Sequence, residues 1–218
     1  MHSVTLLTSP QRPQLEASLV DAVRNAWGGG DAVWLAPDEA ARFDMKRMPG
    51  NRWDVWAECQ GMGVDLVITP SEGARKKMLL ADMDSTMIQQ ECIDELADEA
   101  GVGDRVKEIT ARAMNGELDF DEALRERVVL LKGLDEAVIT RVLAERITHM
   151  PGGKTLLATM KANGAYAALV SGGFTAFTAA VAKALGFDEN RANTLLASDG
   201  VLTGDVGVPI LGKQAKVD

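Results

Sequence analysis

At 218 residues, with 46% hydrophobic and 25% charged side chains, the chain is long enough for one domain of ordinary size plus a small one, and its composition is that of a soluble globular protein. A formal net charge of -9 argues against nucleic acid or an anionic membrane as the main partner, though not against a small phosphorylated substrate whose charge is met locally. No apolar run approaches the length of a bilayer span and the amino terminus lacks a basic-then-apolar layout, so a cytoplasmic protein is expected.

Residues 1–74 read as a small α/β module. Ser3 to Leu7 is a candidate strand, and Gln14 to Trp27 carries Leu15, Leu19, Val20 and Val23 at helical spacing until Gly28-Gly29-Gly30 ends it. Asp31 to Leu35 and Val64 to Thr69 follow as strands. Trp34, Trp53 and Trp56 are expected in the core of this module, since aromatic residues so placed more often pack than bind. Pro70-Ser71-Glu72-Gly73 marks the boundary with residues 75–218. Cys59 and Cys92 are unclustered and read as reduced thiols, and His2 and His149 as isolated surface residues.

The second part opens on Met78-Leu79-Leu80-Ala81, an apolar run of the kind that is buried in a parallel sheet, and it delivers Asp82 and Asp84 at its carboxyl end. Residues two apart in a strand face the same way, so both carboxylates can reach one pocket, where their repulsion calls for a cation or a shared proton. An Asp-rich turn capping the next helix is the other reading of the same residues. Four helical stretches follow, Glu91 to Ala100, Asp104 to Met114, Asp119 to Lys132 and Asp135 to Ile147, the first three ended by Gly101, Gly116 and Gly133. Asp119 with Glu122 has the spacing of a capping box. A helix from Gly152 to Ala162, a strand from Ala165 to Val170, and a helix from Phe174 to Leu185 resume the α/β core. Between the last two, Ser171-Gly172-Gly173 reaches the same edge as Asp82 and is suited to an anion at a helix amino terminus, or is a plain turn. Asn193 to Ala197 and Val201 to Val206, split by Asp199-Gly200, read as a hairpin.

Asp82-Met83-Asp84-Ser85-Thr86 resembles the DxDxT signature of the haloacid dehalogenase-like phosphohydrolases. The continuation through Glu91, Ser171-Gly172-Gly173-Phe174, Leu202-Thr203-Gly204-Asp205 and Lys216 resembles, within them, the phosphoserine phosphatases. That resemblance implies a doubly wound, Rossmann-like parallel sheet with an inserted four-helix cap at about 87–150. It also implies an amino-terminal module that is ACT-like in many relatives. The implied activity is magnesium-dependent hydrolysis of O-phosphoserine, the last step of serine synthesis, with a small molecule as partner. Oligomeric state is left open.

The resemblance also assigns roles. Asp82 is implied as the nucleophile that takes the phosphoryl group, and Asp84 as the general acid and then base. Magnesium is expected against the Asp82 carboxylate and the Asp84 backbone oxygen. Ser171, Gly172 and Gly173 would hold the phosphoryl oxygens and Lys216 would neutralise them. Lys213 is a rival that fits the family spacing less well. Glu91 is implied as acceptor for the substrate's amino group, Arg127 as donor to its carboxylate, and Met114 and Phe120 as apolar walls. On spacing alone Glu91 is a first-turn helix charge and Arg127 part of a solvated face.

The family's fourth motif, Gly-Asp-Gly-x-x-Asp, is expected beyond Lys216, and the sequence stops at Asp218. A piece of a longer phosphatase is the expectation, with a half-built metal site, the Asp82 strand left at a sheet edge, and poor activity. A phosphatase for another small phosphomonoester, or a non-catalytic binding protein, is the alternative.

Overall fold

In the computed structural model, which describes residues 1–217 apart from the side chains of Lys213 and Ala215, the chain divides into two units, Met1–Arg75 and Lys76–Asp218. The first runs β1 (His2–Leu7), α1 (Ala17–Ala26), β2 (Val33–Ala36), β3 (Ala40–Met45), α2 (Arg52–Gly61) and β4 (Asp65–Pro70). This β-α-β-β-α-β succession is that of a ferredoxin-like unit, with antiparallel strands in the order β2-β3-β1-β4. One sheet face supplies Val4, Leu6, Phe43, Met45 and Leu66 to a core shared with Val20, Val23 and Cys59 from the helices. α1 starts at Ala17, later than its spacing suggests, because the Leu15 N–H donates to Asp38 O at 2.7 Å and holds Leu15 in the loop, though still buried.

The tryptophans depart from expectation. Trp53 and Trp56 are 65% and 40% exposed, and Trp34 is 38% exposed. α2 turns Val55 and Cys59, four residues apart, toward the core, so Trp53 and Trp56 fall off that face. They meet each other edge to face at 6.3 Å, with the Arg52 guanidinium 5.4 Å from the Trp53 ring centre.

The second unit begins with β5 (Met78–Ala81) and continues through α3 (Cys92–Glu99), α4 (Gly103–Met114), α5 (Phe120–Val129) and α6 (Ala137–Glu145) to α7 (Gly153–Ala162). Then come β6 (Tyr166–Phe174), α8 (Thr175–Leu185), β7 (Glu189–Asn193), the hairpin β8 (Leu195–Ser198) with β9 (Val201–Val206), and a short 3-10 turn, Lys213–Lys216. β5, β6 and β7 form a parallel sheet in that order. Three of the four helices inserted after β5 share one core with the sheet: Leu96 of α3, Leu124 of α5 with Leu131 just beyond it, and Val142 of α6 pack in one cluster with Leu169, Phe177 and Val181 of the sheet and α8. Burial of that continuous surface fixes these three helices over the sheet, at about 25 cal/mol for each Å² of apolar area removed from water.

Three details were not anticipated. β6 runs on through Ser171-Gly172-Gly173 to Phe174, four residues beyond Val170, so this stretch ends a strand and is not a turn. β7, Glu-Asn-Arg-Ala-Asn, is a strand without an apolar signature. Met78 and Leu80 of β5 are exposed, so the apolar run is not covered on both faces, and β5 is paired on one side only among the described residues, at the sheet edge as expected. Among the described residues no helix is long and apolar enough to cross a membrane.

Candidate active site

Asp82 is the first residue past β5, and the chain then turns sharply, with the N–H groups of Thr86, Met87 and Ile88 converging on Met83 O at 3.2, 2.9 and 3.1 Å. Met83 is fully buried beneath this turn, so the aspartates on either side of it face the opening above the sheet. Asp82 Oδ1 accepts from the Met83 N–H at 2.8 Å, and Oδ2 pairs with Lys216 Nζ. Asp84 Oδ1 accepts from the Cys92 N–H at 2.8 Å and Oδ2 from the Ser171 hydroxyl at 3.2 Å, while the Gly173 N–H donates to Ser171 Oγ at 2.9 Å. Cys92 is the first residue of α3, so Asp84 lies at the amino terminus of the first inserted helix, where free N–H groups favour negative charge. The Cys92 thiol itself is held far above the usual thiol range by burial and by Asp84.

Lys216 is brought here by a buried amide. Asn193, 2% exposed at the end of β7, donates through Nδ2 to Gly172 O at 2.9 Å and Leu211 O at 3.1 Å, and its Oδ1 accepts the Leu211 N–H at 2.7 Å. The segment leading to Lys216 is thus laced to the end of β6. The Lys213 side chain lies outside the described residues.

The opposite wall comes from α5. Its start is fixed by a capping box in which Asp119 Oδ1 accepts the Glu122 N–H at 2.8 Å and Glu122 Oε2 accepts the Asp119 N–H at 3.1 Å. Phe120, Leu124 and Arg127 then fall on one face at intervals of four and three. The Phe120 ring rests against two glycines: a Cβ at Gly172 would come within 2.9 Å of it and one at Gly212 within 3.2 Å. Arg127 donates through Nε to Ala123 O at 3.1 Å, and burial lowers its pKa against the pull of Asp94 and Glu91. Burial raises the pKa of Glu91, as does repulsion from Asp84, Asp94 and Asp82, and the hydrogen bond from Ser85 opposes them.

These walls enclose a cavity of about 360 Å³. Asp82, Asp84, Glu91, Phe120, Arg127, Ser171, Gly172, Gly173 and Lys216, all expected at the site, line it. Met114 does not: it is 85% exposed at the last position of α4, off the stripe that Val106 and Ile109 turn to the core. Ile93, Leu124, Phe174 and Gly212 complete the lining without having been singled out, although Leu124 shares the helical face of Phe120 and Arg127. For a divalent cation, the chain offers the Asp82 carboxylate and the Asp84 backbone oxygen, which accepts no hydrogen bond among the described residues. No group of three or more His, Cys, Asp or Glu side chains converges among those residues. One carboxylate and a carbonyl, completed by water and a phosphate, is a donor set that magnesium accepts. Two carboxylates, a hydroxyl and an ammonium thus share one opening with the Glu91 carboxylate and the Arg127 guanidinium, so the cavity holds groups of both charges.

Residues 79–218 match the model of the haloacid dehalogenase-like hydrolases. The chain is 38% identical to a phosphoserine phosphatase of Streptomyces coelicolor, over 98% of the chain and 53% of that relative. It is 48% identical to one of Streptococcus thermophilus, over 65% of the chain and 66% of the relative. It therefore spans between about half and two thirds of the length of these two relatives. Among solved structures, a haloacid dehalogenase family hydrolase of Salmonella enterica serovar Typhi superposes with a TM-score of 0.81 at 27% identity, covering 99% of the chain and 75% of that structure. A substrate-bound phosphoserine phosphatase complex gives 0.57 at 44% identity, covering 60% and 62%.

Proposed function

The chain belongs to the haloacid dehalogenase-like hydrolase family, and on that footing we propose that it hydrolyses O-phosphoserine to serine and phosphate, as in the last step of serine synthesis. The observation that carries this reading is the one cavity that Asp82, Asp84, Ser171 and Lys216 line together with Glu91 and Arg127. The first four meet a phosphate ester; the last two meet an ammonium and a carboxylate on the same small molecule.

In the proposed reaction an Asp82 oxygen attacks phosphorus, and the bond from phosphorus to the serine oxygen breaks. Asp84 gives its proton to the departing oxygen, so serine leaves neutral at that atom. Asp84 then takes a proton from water, whose oxygen attacks the aspartyl-phosphate and returns Asp82 as a carboxylate. The Ser171 hydroxyl and the nearby N–H groups hold the equatorial oxygens, and Lys216, paired with Asp82 in this structure, is within reach of the charge that the phosphoryl group brings. Magnesium, held by the Asp82 carboxylate and the Asp84 backbone oxygen, would add charge compensation on the transferring group. The inserted helices close one side of the cavity, which favours transfer to Asp82 over loss to bulk water.

The test is phosphorus-labelled phosphoserine with magnesium, quenched in acid. Label should appear on the wild-type chain at Asp82 and be absent from Asp82→Asn. Release of phosphate from phosphoserine should exceed release from phosphothreonine and an aryl phosphate. Equal rates on all three would overturn the substrate, and undiminished turnover by Asp82→Asn would overturn the mechanism.

A further inference from the structure

Ser85 is one of three residues other than glycine with a positive φ among those described, and the other two, Asp38 and Asp199, are aspartates, which tolerate that conformation well. Ser85, at φ 51°, follows directly on Asp84. A left-handed conformation costs an ordinary residue roughly 1–2 kcal/mol, so something must hold it. Two contacts do. The Ser85 N–H donates to Gln90 O at 3.2 Å, and the hydroxyl donates to Glu91 Oε1 at 2.6 Å.

Glu91 gives that second contact its meaning. It occupies the N-cap position of α3, yet its side chain makes no capping bond to its own helix. Among the described residues its carboxylate lines the cavity, forms no ion pair within 4.0 Å, and has the Ser85 hydroxyl as its one hydrogen-bond donor. Oε1 is therefore anchored, and Oε2 is left without a protein partner among those residues. We propose that Ser85 is a positioning residue that aims Glu91 at the amino group of the substrate and so sets the preference for phosphate esters that bear one. This rests on the reading of Glu91 as the ammonium acceptor.

The test is calorimetric binding to the 218-residue chain in one magnesium-containing buffer, using two phosphonates that cannot be hydrolysed: 2-amino-3-phosphonopropionate and its des-amino counterpart, 3-phosphonopropionate. Ser85→Gly removes the hydroxyl while suiting the positive φ, and Ser85→Ala removes it while keeping a Cβ. Wild type should favour the amino-bearing ligand. Both variants should lose roughly tenfold of that preference, the worth of a hydrogen bond to a charged group, with binding of the des-amino ligand unchanged. If wild type shows no preference, or binds neither ligand, the reading of Glu91 falls and this inference with it. If wild type shows the preference and Ser85→Gly keeps it, the role of Ser85 alone is overturned. Equal weakening for both ligands would also overturn it, making Ser85 a support for the loop.

Discussion

Gly173 is where one methyl group probes the proposed acid most directly. A Cβ there would lie 2.6 Å from Asp84 Oδ2, 3.1 Å from Ser171 Oγ and 3.4 Å from Met83 Cε. Ordinary contact begins at 3.4 Å, so the Asp84 oxygen would have to retreat by about 0.8 Å. It has little room to do so, because Oδ1 is held by the Cys92 N–H at 2.8 Å and Met83 beneath is fully buried. Misplacing a catalytic group by ~1 Å can cost ~10²-fold in rate. Gly173→Ala should therefore lower kcat for phosphoserine by about a hundredfold, with a smaller change in KM. Gly173 is not among the glycines of positive φ, so alanine strains no backbone and the melting temperature should move by only a few degrees, roughly the effect of 1 kcal/mol. Gly172→Ala is the internal contrast. Its methyl would meet Phe120 Cζ at 2.9 Å, the far end of a ring that can swing, so the loss should be several-fold and mostly in KM. Phosphate release and thermal melting on the same preparations decide it. A Gly173→Ala protein within twofold of wild type, or a Gly172→Ala protein that is the more damaged, would refute the assignment of Asp84.

Other substitutions separate binding from chemistry. Arg127→Ala should raise KM for phosphoserine about tenfold or more while leaving kcat within a few-fold, as loss of a charge-assisted pair requires; a fall confined to kcat would contradict its place opposite the phosphate site. Asn193→Ala strips partners from Gly172 O and from both backbone groups of Leu211, and should cost roughly 2–4 kcal/mol by denaturant titration, together with turnover; a neutral result would show that Lys216 is placed by other means. Glu91 predicts opposite pH trends for folding and recognition. Its pKa is raised by burial and nearby carboxylates, so its contribution to stability is present at low pH and is lost as pH rises through that raised value. Preference for the amino-bearing phosphonate needs the ionised form, and should fade on acidification with a midpoint above the ordinary glutamate value. A midpoint at or below that value would contradict the burial argument.

How much of this was legible depended on whether a feature is local. The four inserted helices could be read because amphipathic spacing, the Asp119–Glu122 box and terminal glycines are local signals. β7 could not, because its outward side chains are satisfied by polar partners: Glu189 accepts from Tyr166 and Arg191, and Asn190 accepts from Thr178. An apolar pattern is not needed where a strand edge is stitched by hydrogen bonds. Of the residues to which resemblance pointed, Asp82, Asp84, Ser171 and Lys216 line one cavity, while Met114 lies outside it, off the apolar stripe of α4. Asn193 and Ser85 gave no spacing signal at all, since what they hold is backbone or a neighbour reached through a left-handed residue.

The start of α3 shows why the Glu91 side chain lines the cavity and does not cap its own helix. A carboxylate at the N-cap ordinarily turns back to the first free N–H groups of its own helix. Here the Ser85 hydroxyl draws the Glu91 carboxylate away from its own helix and toward the cavity, while Asp84 accepts the N–H of Cys92 from across the turn. Substrate recognition at Glu91 and acid placement at Asp84 therefore depend on one short turn. A change that loosens it, such as replacing Ser85, should disturb the amino-group preference before it disturbs the helix.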